Sequence, residues 1–335
     1  MNFDKQFKEY HDKIKLSSSK KKELIGEKEK KGSRDALRDR IKKDFKEKGR
    51  QQPKFYMQGS FSMNTTINPI SAEYDLDDGV YLQNIDTAKP MNEWESPAIV
   101  HNWIVEAVDG HTRKNPTDKN LCVRVHYADE RKHIDLPIYV QKNDTYYLAV
   151  KGKGWIESDP KEIKDWFLDE VKEKGEQFRR VVRYLKGWKD FRESENQQVK
   201  LYGGFQLTVL ASYHFVSSDS DEESFFKTIE GIKTKLWIYK FIIFHPKNSS
   251  KNIIEHYTEA RRKKFVEEFE KMYKRAKAAY EENDCIEKSK KWRKIFGDRF
   301  PLLKKDDCND EGKNASRAAT ITGTTNIANT SGRQA

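Results

Sequence analysis

Apolar residues near the start of the chain recur at helical spacing. Two stripes repeat every three or four residues: Phe3, Phe7, Tyr10 and Ile14, and then Leu37, Ile41 and Phe45. This period places the members of each stripe on one face of a helix. The serine run at 17–19 separates the two stripes, and Gly49 is a stop signal for the second. The first 50 residues are therefore predicted to be helical.

From residue 55 the pattern changes to short apolar runs separated by turn residues. The predicted strands are Phe55–Met57, Asp75–Leu82, Leu121–Tyr127, His133–Gln141 and Tyr146–Val150. After the second strand, Ser96 and Pro97 start a helix that extends to Val108. Turn residues at 128–131 and 142–144 predict hairpins, so the later strands should be antiparallel neighbours. This region is predicted to be an α+β core with a mixed sheet.

Helical periodicity returns after Asp159 and Pro160 and continues nearly to residue 297. The helical stretches are an apolar stripe at 178–191, then Phe205–Phe215, Phe225–Phe244 and Glu259–Lys291. Residues 303–335 are polar, small and free of aromatic residues, which is typical of a disordered tail. The chain is thus predicted to contain an N-terminal core at 1–160, a helical lobe at 161–302 and a tail at 303–335.

The amino-acid composition limits the classes of protein to which the chain could belong. Charged residues make up 36% of the 335 residues, but 18 Phe, 15 Tyr and 7 Trp argue against a disordered chain. The net charge of +11 favours polyanionic partners, although most lysine runs are typical of solvated helix faces. With no long apolar stretch and no signal sequence, we expect a cytoplasmic protein without membrane contact. The distant Cys122, Cys285 and Cys308 are expected to be reduced thiols.

Candidate chemistry begins at Gly59 and Ser60, just after the first predicted strand. A Gly-Ser pair that opens a helix exposes backbone N–H groups and a hydroxyl to a phosphate. In the second strand, Asp75 and Asp77 project to the same face because alternate side chains of a strand do so. Two aligned carboxylates are ligands for a hard divalent cation such as Mg²⁺ or Mn²⁺.

A third carboxylate, Asp135, interrupts an apolar strand, where an unpaired charge is costly. Beside Asp75 and Asp77 it would complete a two-ion site and accept the proton of an attacking hydroxyl. Each feature also has a structural explanation. Gly59 and Ser60 would form an ordinary turn, Asp75 and Asp77 a solvated pair in a loop, and Asp135 a salt-bridged strand residue. The joint order of the three features favours the site, because it is the order found in DNA polymerase β-like nucleotidyltransferases.

Three segments resemble a narrower family, the bacterial CD-NTases, which are relatives of cyclic GMP-AMP synthase and the oligoadenylate synthetases. They are Gln58-Gly59-Ser60-Phe61, Asp75-Leu76-Asp77-Asp78-Gly79 and residues 291–301. The resemblance covers about residues 1–302 and implies a polymerase β-like core with a C-terminal helical lobe. It also implies two Mg²⁺ (or Mn²⁺) ions and synthesis of a cyclic oligonucleotide, most closely a cyclic dinucleotide such as cyclic GMP-AMP, from ATP and GTP. Such enzymes act in the anti-phage systems called CBASS.

The resemblance assigns roles residue by residue. Gly59 and Ser60 match the phosphate-binding turn, Asp75 and Asp77 the metal-binding pair, Asp135 the third catalytic carboxylate, and Lys186 the lysine that reaches the donor triphosphate. For Lys186 the alternative is an ammonium group that snorkels from an amphipathic helix. The relatives carry a serine-containing turn where this chain has Gly203 and Gly204, whose backbone N–H groups are expected to bind nucleotide instead. Met63 replaces an aromatic residue near the bound base.

The resemblance also bears on partners. The product would reach a downstream effector, and a ubiquitin-transfer-like partner would act on the C-terminal Ala335, the alternative being an ordinary frayed terminus. The zinc-bearing insertion of animal relatives is missing, so activation by DNA is not expected. His126 and His133 flank a hairpin without a third ligand, and a structural role is favoured over zinc.

Two other functions stay open from the sequence. One keeps the chemistry but yields a linear oligoadenylate or extends an RNA 3′ end. The other is a non-enzymatic basic module that binds nucleic acid through the helical lobe. Three carboxylates beside a phosphate turn would repel a polyanion unless cations bridge them, which favours the enzymes.

Overall fold

The computed structural model of the chain describes residues 2–27, 30–70, 74–127 and 132–308. The N-terminal helices are α1 (Asp4–Ile14), α2 (Ser18–Ile25), α3 (Ser33–Glu47), α4 (Gly59–Ser62) and α5 (Pro97–Val108). The strands among them are β1 (Lys54–Gln58), β2 (Tyr74–Tyr81), β3 (Thr117–Asp118), β4 (Val123–Tyr127), β5 (Lys132–Leu136), β6 (Ile138–Lys142), β7 (Thr145–Val150) and β8 (Gly154–Glu157). The C-terminal part contains α6 (Pro160–Lys174), α7 (Glu176–Glu195), α8 (Gly204–His214), α9 (Asp221–Thr234), α10 (Leu236–Tyr239), β9 (Phe244–His245), β10 (Asn248–Asn252), α11 (Glu259–Tyr280) and α12 (Cys285–Phe296). This order confirms the predicted α+β fold with a helical lobe.

Strand β2 lies at the centre of a mixed sheet. The order of strands is β3-β4-β5-β2-β6-β7-β8, and β1 pairs with β2 as well. Pro137 divides the single strand predicted over 133–141, because proline has no N–H to donate to a ladder. As a result β5 runs parallel to the first half of β2 and β6 parallel to the second half. The predicted antiparallel neighbours are the pairs β4–β5 and β6–β7.

The two predicted N-terminal stripes are buried in two different cores. The residues of α1 pack into the helical lobe, whereas those of α3 pack against the sheet: Phe3, Phe7, Tyr10 and Ile14 in the first core, and Leu37, Ile41 and Phe45 in the second. Helix α2 was missed because its serine run was interpreted as a break. Instead, the Ser17 hydroxyl accepts a hydrogen bond from the Lys20 N–H at 3.3 Å and caps the helix.

The helical lobe departs from prediction at two points. The stretch 259–291 is two helices, since Asp284 caps a new start at α12. The helix predicted over Phe225–Phe244 was wrong beyond Tyr239, where α10 ends and a turn leads to the β9–β10 hairpin that starts at Phe244. The Asn252 side chain secures this hairpin by accepting from the Ile243 N–H at 3.1 Å and donating to the Phe241 carbonyl at 3.0 Å. The spacing of apolar residues in the sequence does not reveal a hydrogen bond made by a side chain.

Charged side chains on the outer helix faces are mostly paired within one turn. Examples are Lys264 with Glu267 at 3.5 Å and Lys290 with Glu287 at 2.7 Å. Such exposed pairs contribute little to stability but keep the helix surface hydrated. Among the helices that the structure describes, none combines the length and apolar character that crossing a bilayer requires.

The prediction of reduced thiols is wrong for two of the three cysteines. Cys285, at the start of α12, forms a disulfide with Cys308, while Cys122 is buried and free. Leu303 is buried and Cys308 packs against the core of the lobe, while residues 304–307 are exposed, although the tail was predicted to begin at 303. The remainder of the predicted tail, 309–335, lies outside the described residues.

A buried charge joins α1, α9 and α12. Glu222, only 2% exposed, accepts from the Phe3 N–H at 3.0 Å and the Trp292 indole N–H at 2.8 Å, and it pairs with Lys288 at 3.0 Å. We expect Lys288→Met to lower the free energy of unfolding by about 3 kcal/mol, because it leaves a buried carboxylate without its cation. Chemical denaturation measures this, with Lys290→Met as the exposed control. Equal effects of the two variants would contradict the prediction.

Candidate active site

A cleft of about 890 Å³ opens between the central sheet and the helical lobe. Six of the predicted site residues line it: Gly59, Ser60, Asp75, Asp77, Lys186 and Gly204. Asp135 and Gly203 are not on its wall, but each adjoins a residue that is, since Asp135 pairs with Asp77 in the sheet. The volume is within the range of small-molecule sites. The fold therefore brings residues far apart in sequence into one cavity.

The β2 carboxylates enter the cleft because of strand alternation. Asp75 is exposed and Asp77 half-buried, while Leu76 between them is fully buried on the opposite face. Asp78 also points to that opposite face, where the Arg38 guanidinium binds it. Burial, together with the charges of Asp75 and then Asp135, raises the pKa of Asp77 well above its ordinary value. The site thus concentrates negative charge that a cation would relieve.

Asp135 lies beside Asp77 in the parallel register of β2 and β5. Its two carboxylate oxygens accept from Nε and Nη2 of Arg124, both at 2.6 Å. Burial opposes ionisation of Asp135, but the Arg124 bonds and charge outweigh it and hold the pKa below its usual value. Sequence reasoning missed Arg124, although the hairpin register that pairs Arg124 with Asp135 was a usable signal.

The carboxylates of the cleft are the candidate ligands for a divalent cation. In the described part of the chain, no three His, Cys, Asp or Glu side chains are arranged to hold one ion. Asp75 and Asp77 nevertheless offer adjacent oxygen ligands of the kind that Mg²⁺ prefers, and burial, followed by the charge of Asp75, raises the pKa of Asp77. Asp135 as a further ligand stays a prediction, since Arg124 occupies both its oxygens.

The phosphate turn is fixed by its contact with β2. Gly59 has φ of +64°, in the left-handed region that favours glycine. A Cβ at this position would overlap the Asp77 carboxylate. The Ser60 and Thr66 hydroxyls share a hydrogen bond of 2.9 Å. Only glycine lets the turn approach the carboxylate this closely.

Lys186 of α7 is buried at the cleft wall, where its ammonium group donates to the Thr65 hydroxyl at 2.8 Å and carbonyl at 3.3 Å. Burial lowers its pKa to about 7, although the charge of Asp75 partly offsets this effect. A Cβ at Gly204 would lie 3.1 Å from the Lys186 Cε, so this glycine makes room for the lysine stem. The Gly203 N–H already donates to the Tyr257 hydroxyl at 3.2 Å.

Polar residues of α7 also hold the segment that follows the phosphate turn. Arg183 donates to the carbonyl of Asn64, which has φ of +53°, and to His11 at 2.7 Å. Asp190 accepts from the Ile70 N–H at 3.1 Å. Together with Lys186 these residues lie on one helix face at steps of three and four. The helical lobe thus positions the turn of the core, which no local sequence pattern indicated.

Two histidines of the β4–β5 hairpin, His126 and His133, were considered for a metal site, and their structural role stays a prediction. His126 bonds to the Thr117 hydroxyl at 2.9 Å, and its ring centroid lies 6.4 Å from that of His133. Within the described ranges no third ligand joins them. Met63 is 4% exposed and lies on the wall of the cleft, and its replacement of an aromatic residue near the base stays a prediction.

These features define a class of protein: a polymerase β-like nucleotidyltransferase core carrying a helical lobe. Solved structures of the same fold include the Vibrio cholerae DncV cyclic AMP-GMP synthase, with a TM-score of 0.71 and 19% identity over 90% of this chain and 100% of that one. The same enzyme in complex with the linear intermediate 5′ pppA(3′,5′)pG matches with a TM-score of 0.71 and 19% identity, covering 90% of this chain and 97% of that one.

Sequence comparison identifies similar proteins. Residues 53–139 match the DncV-like cyclic GMP-AMP synthase nucleotidyltransferase domain. A cyclic GMP-AMP synthase of Escherichia albertii is 28% identical over 63% of this chain and 48% of its own length. A c-di-GMP synthase of Roseivirga ehrenbergii is 24% identical over 60% of both chains. The chain spans about half the length of the cyclic GMP-AMP synthases that it matches. Over these residues the chain is similar to the bacterial CD-NTases.

Proposed function

We propose that the protein is a metal-dependent nucleotidyltransferase that converts ATP and GTP into a cyclic dinucleotide such as cyclic GMP-AMP. The observation that carries this proposal is the meeting of the Asp75–Asp77 pair, the Gly59 turn and Lys186 in one cleft. Carboxylates for cations and a buried ammonium for a triphosphate are the two requirements of nucleotidyl transfer. The relatives named as cyclic dinucleotide synthases support the product class.

In the proposed mechanism Asp75 and Asp77 hold the divalent cations, expected to be two Mg²⁺ or Mn²⁺ ions. Bound cations would neutralise developing phosphate charge and lower the pKa of the attacking hydroxyl. Lys186 would bind the donor triphosphate, and the backbone of the turn at Gly59 and Ser60 would orient it. Asp135, kept ionised by Arg124, would accept the proton of the hydroxyl that attacks the α-phosphate. Each attack would form a phosphodiester bond and break the bond between the α- and β-phosphates, so that pyrophosphate leaves, and the second attack in the same cleft would close the ring.

The cellular role follows from the family and is also part of the proposal. A cyclic dinucleotide made in anti-phage (CBASS) defence would act through a separate effector that binds the product. Conjugation of Ala335 by a ubiquitin-transfer-like enzyme falls within residues 309–335, outside the described residues, and stays a prediction. A cytoplasmic location agrees with substrates that are cytoplasmic nucleotides, and it too stays a prediction.

Incubation with the four labelled ribonucleoside triphosphates and Mg²⁺ or Mn²⁺, followed by phosphatase and chromatography, tests the proposal. A phosphatase-resistant product that contains adenine and guanine is the expected result. A product fully degraded by phosphatase would indicate a linear oligonucleotide instead. No consumption of any nucleotide with either ion would overturn the enzymatic proposal.

Asp135 and Lys186 should affect different kinetic constants. We expect Asp135→Asn to lower kcat by about 10²-fold or more with little change in KM, because the lost carboxylate accepts the proton of the attacking hydroxyl in the transition state. Lys186→Ala should raise KM for the donor by about tenfold or more, because it removes a ground-state contact with the triphosphate. Steady-state kinetics at saturating metal measure both constants. If both variants change only KM, this division of roles is wrong.

A further inference from the structure

The helical lobe has one strongly basic segment that the proposed mechanism does not use. Residues 231–254 contain five lysines and no Asp or Glu: Lys233, Lys235, Lys240, Lys247 and Lys251. The segment covers the end of α9, all of α10 and the β9–β10 hairpin. Four of the five lysines are exposed and Lys240 is half-buried. Nearly half of the chain's net charge of +11 is concentrated here.

Among the residues that the structure describes, these five ammonium groups lack the ion pairs that many lysines of the lobe form. Several lysines of α11 and α12 pair with carboxylates one turn away, as Lys271 does with Glu268 at 3.0 Å. In the part of the chain that the structure describes, no carboxylate lies within salt-bridge distance of the five. Lys240 and Lys233 instead stand over the rings of Phe241 and Tyr273, at 5.3 and 5.8 Å. Their charge is therefore available to a polyanion.

Exposed aromatic rings alternate with these lysines. Trp237 is 70% exposed, Phe241 60% and Phe244 42%, which is unusual for side chains of this size. The backbone beneath them is fixed, because Leu236, Tyr239 and Ile243 are buried. The Tyr213 hydroxyl also donates to the Phe244 carbonyl at 3.0 Å. The exposed rings are thus held on a rigid support.

The segment is continuous with the cleft. His245, Asn248, Lys251 and Asn252 of the hairpin line the cavity that contains Asp75 and Lys186. Phe244 and Lys247 adjoin His245 and Asn248 in sequence, and both are exposed without lining the cavity. An extended ligand that binds along the segment would therefore reach the mouth of the cleft.

We propose that residues 233–251 form a binding surface for single-stranded nucleic acid, in addition to the activity proposed above. Unpaired bases would stack on Trp237, Phe241 and Phe244, while the lysines contact the phosphates. A duplex hides the faces of its bases, so the exposed rings favour a single strand. The inference does not depend on the synthase activity, because binding is measured without catalysis.

Fluorescence anisotropy with a labelled 20-nucleotide oligouridylate tests this surface. Five phosphate contacts predict that log K falls with log salt at a slope of about −3.5. Trp237→Ala/Phe241→Ala should weaken binding at least about fivefold for each ring lost. The same variant should leave binding of an RNA duplex of equal length unchanged. Thermal unfolding checks that the variant is folded.

A charge variant gives an independent measurement. Lys235→Glu/Lys247→Glu should reduce the magnitude of the salt slope by about 1.4, the share of two contacts. Lys43→Glu/Lys46→Glu on the exposed face of α3 changes the net charge equally and should not alter the slope. Equal effects of the two pairs would show non-specific attraction and overturn the proposal. It would also be overturned if the wild type binds phosphatidylserine vesicles through Trp237 and Phe241 but no oligouridylate.

Discussion

We expect the variant Asp75→Asn/Asp77→Asn to lose the proposed formation of cyclic product by at least about a thousandfold and to remain folded. Asparagine keeps the size of each side chain but cannot hold a divalent cation with a full negative charge. The cleft walls are expected to stay intact, because both side chains line the cleft rather than the hydrophobic core. Chromatography of labelled product under saturating nucleotide and metal measures the loss.

Stability of the same variant provides a second measurement. The folded pKa of Asp77 is raised, so the wild type loses stability as pH rises from the ordinary aspartate value through the raised one. Removing both charges removes this loss. Without metal, the variant should therefore be at least as stable as the wild type at pH 7. Asp39→Asn, on α3 away from the cleft, is the control. Substantial turnover by the double variant, free of wild-type contamination, would refute the assignment.

Much of the fold could be predicted because local pattern and tertiary structure agree. The stripes of α1 and α3, the strand β2 and the cap of α5 at Ser96 are all local signals, and the structure confirms each. Neither stripe shows that α1 packs into the lobe while α3 packs on the sheet. Periodicity identifies a buried face, but its partner depends on the whole topology.

The errors in the fold have separate physical causes. Ser17 is as suited to a helix cap as to a loop, and α2 was missed for that reason. The β9–β10 hairpin depends on the Asn252 side chain, and the apolar run before it fits a helix equally well. Cys285 and Cys308 are 23 residues apart, and only the return of the chain after α12 brings them together.

The candidate site was predictable where its residues share a strand or turn. Asp75 and Asp77 follow from alternation alone, and the lining of the cleft agrees with it. The partner of Asp135 could also have been predicted. Asp135 was recognised as a charge that needed compensation, and Arg124 faces it across the hairpin. The bond between Arg183 and the Asn64 carbonyl could not be predicted, because it joins two lobes 119 residues apart.

Replacement of Gly59 by alanine should lower turnover by about a hundredfold or more, through a collision rather than through lost chemistry. The added Cβ would overlap the Asp77 carboxylate and displace it from the position beside Asp75. Part of any effect comes from the left-handed backbone, with φ of +64°, which disfavours alanine by about 1 kcal/mol.

Gly152 separates these two causes. It has φ of +78°, and a Cβ there would meet nothing within 4 Å. Gly152→Ala should therefore show the backbone cost in thermal unfolding, with turnover close to that of the wild type. Gly59→Ala should show a similar loss of stability together with the large loss of turnover. If the two variants retain equal activity, the turn at Gly59 does not position Asp77, because backbone strain alone would then explain both.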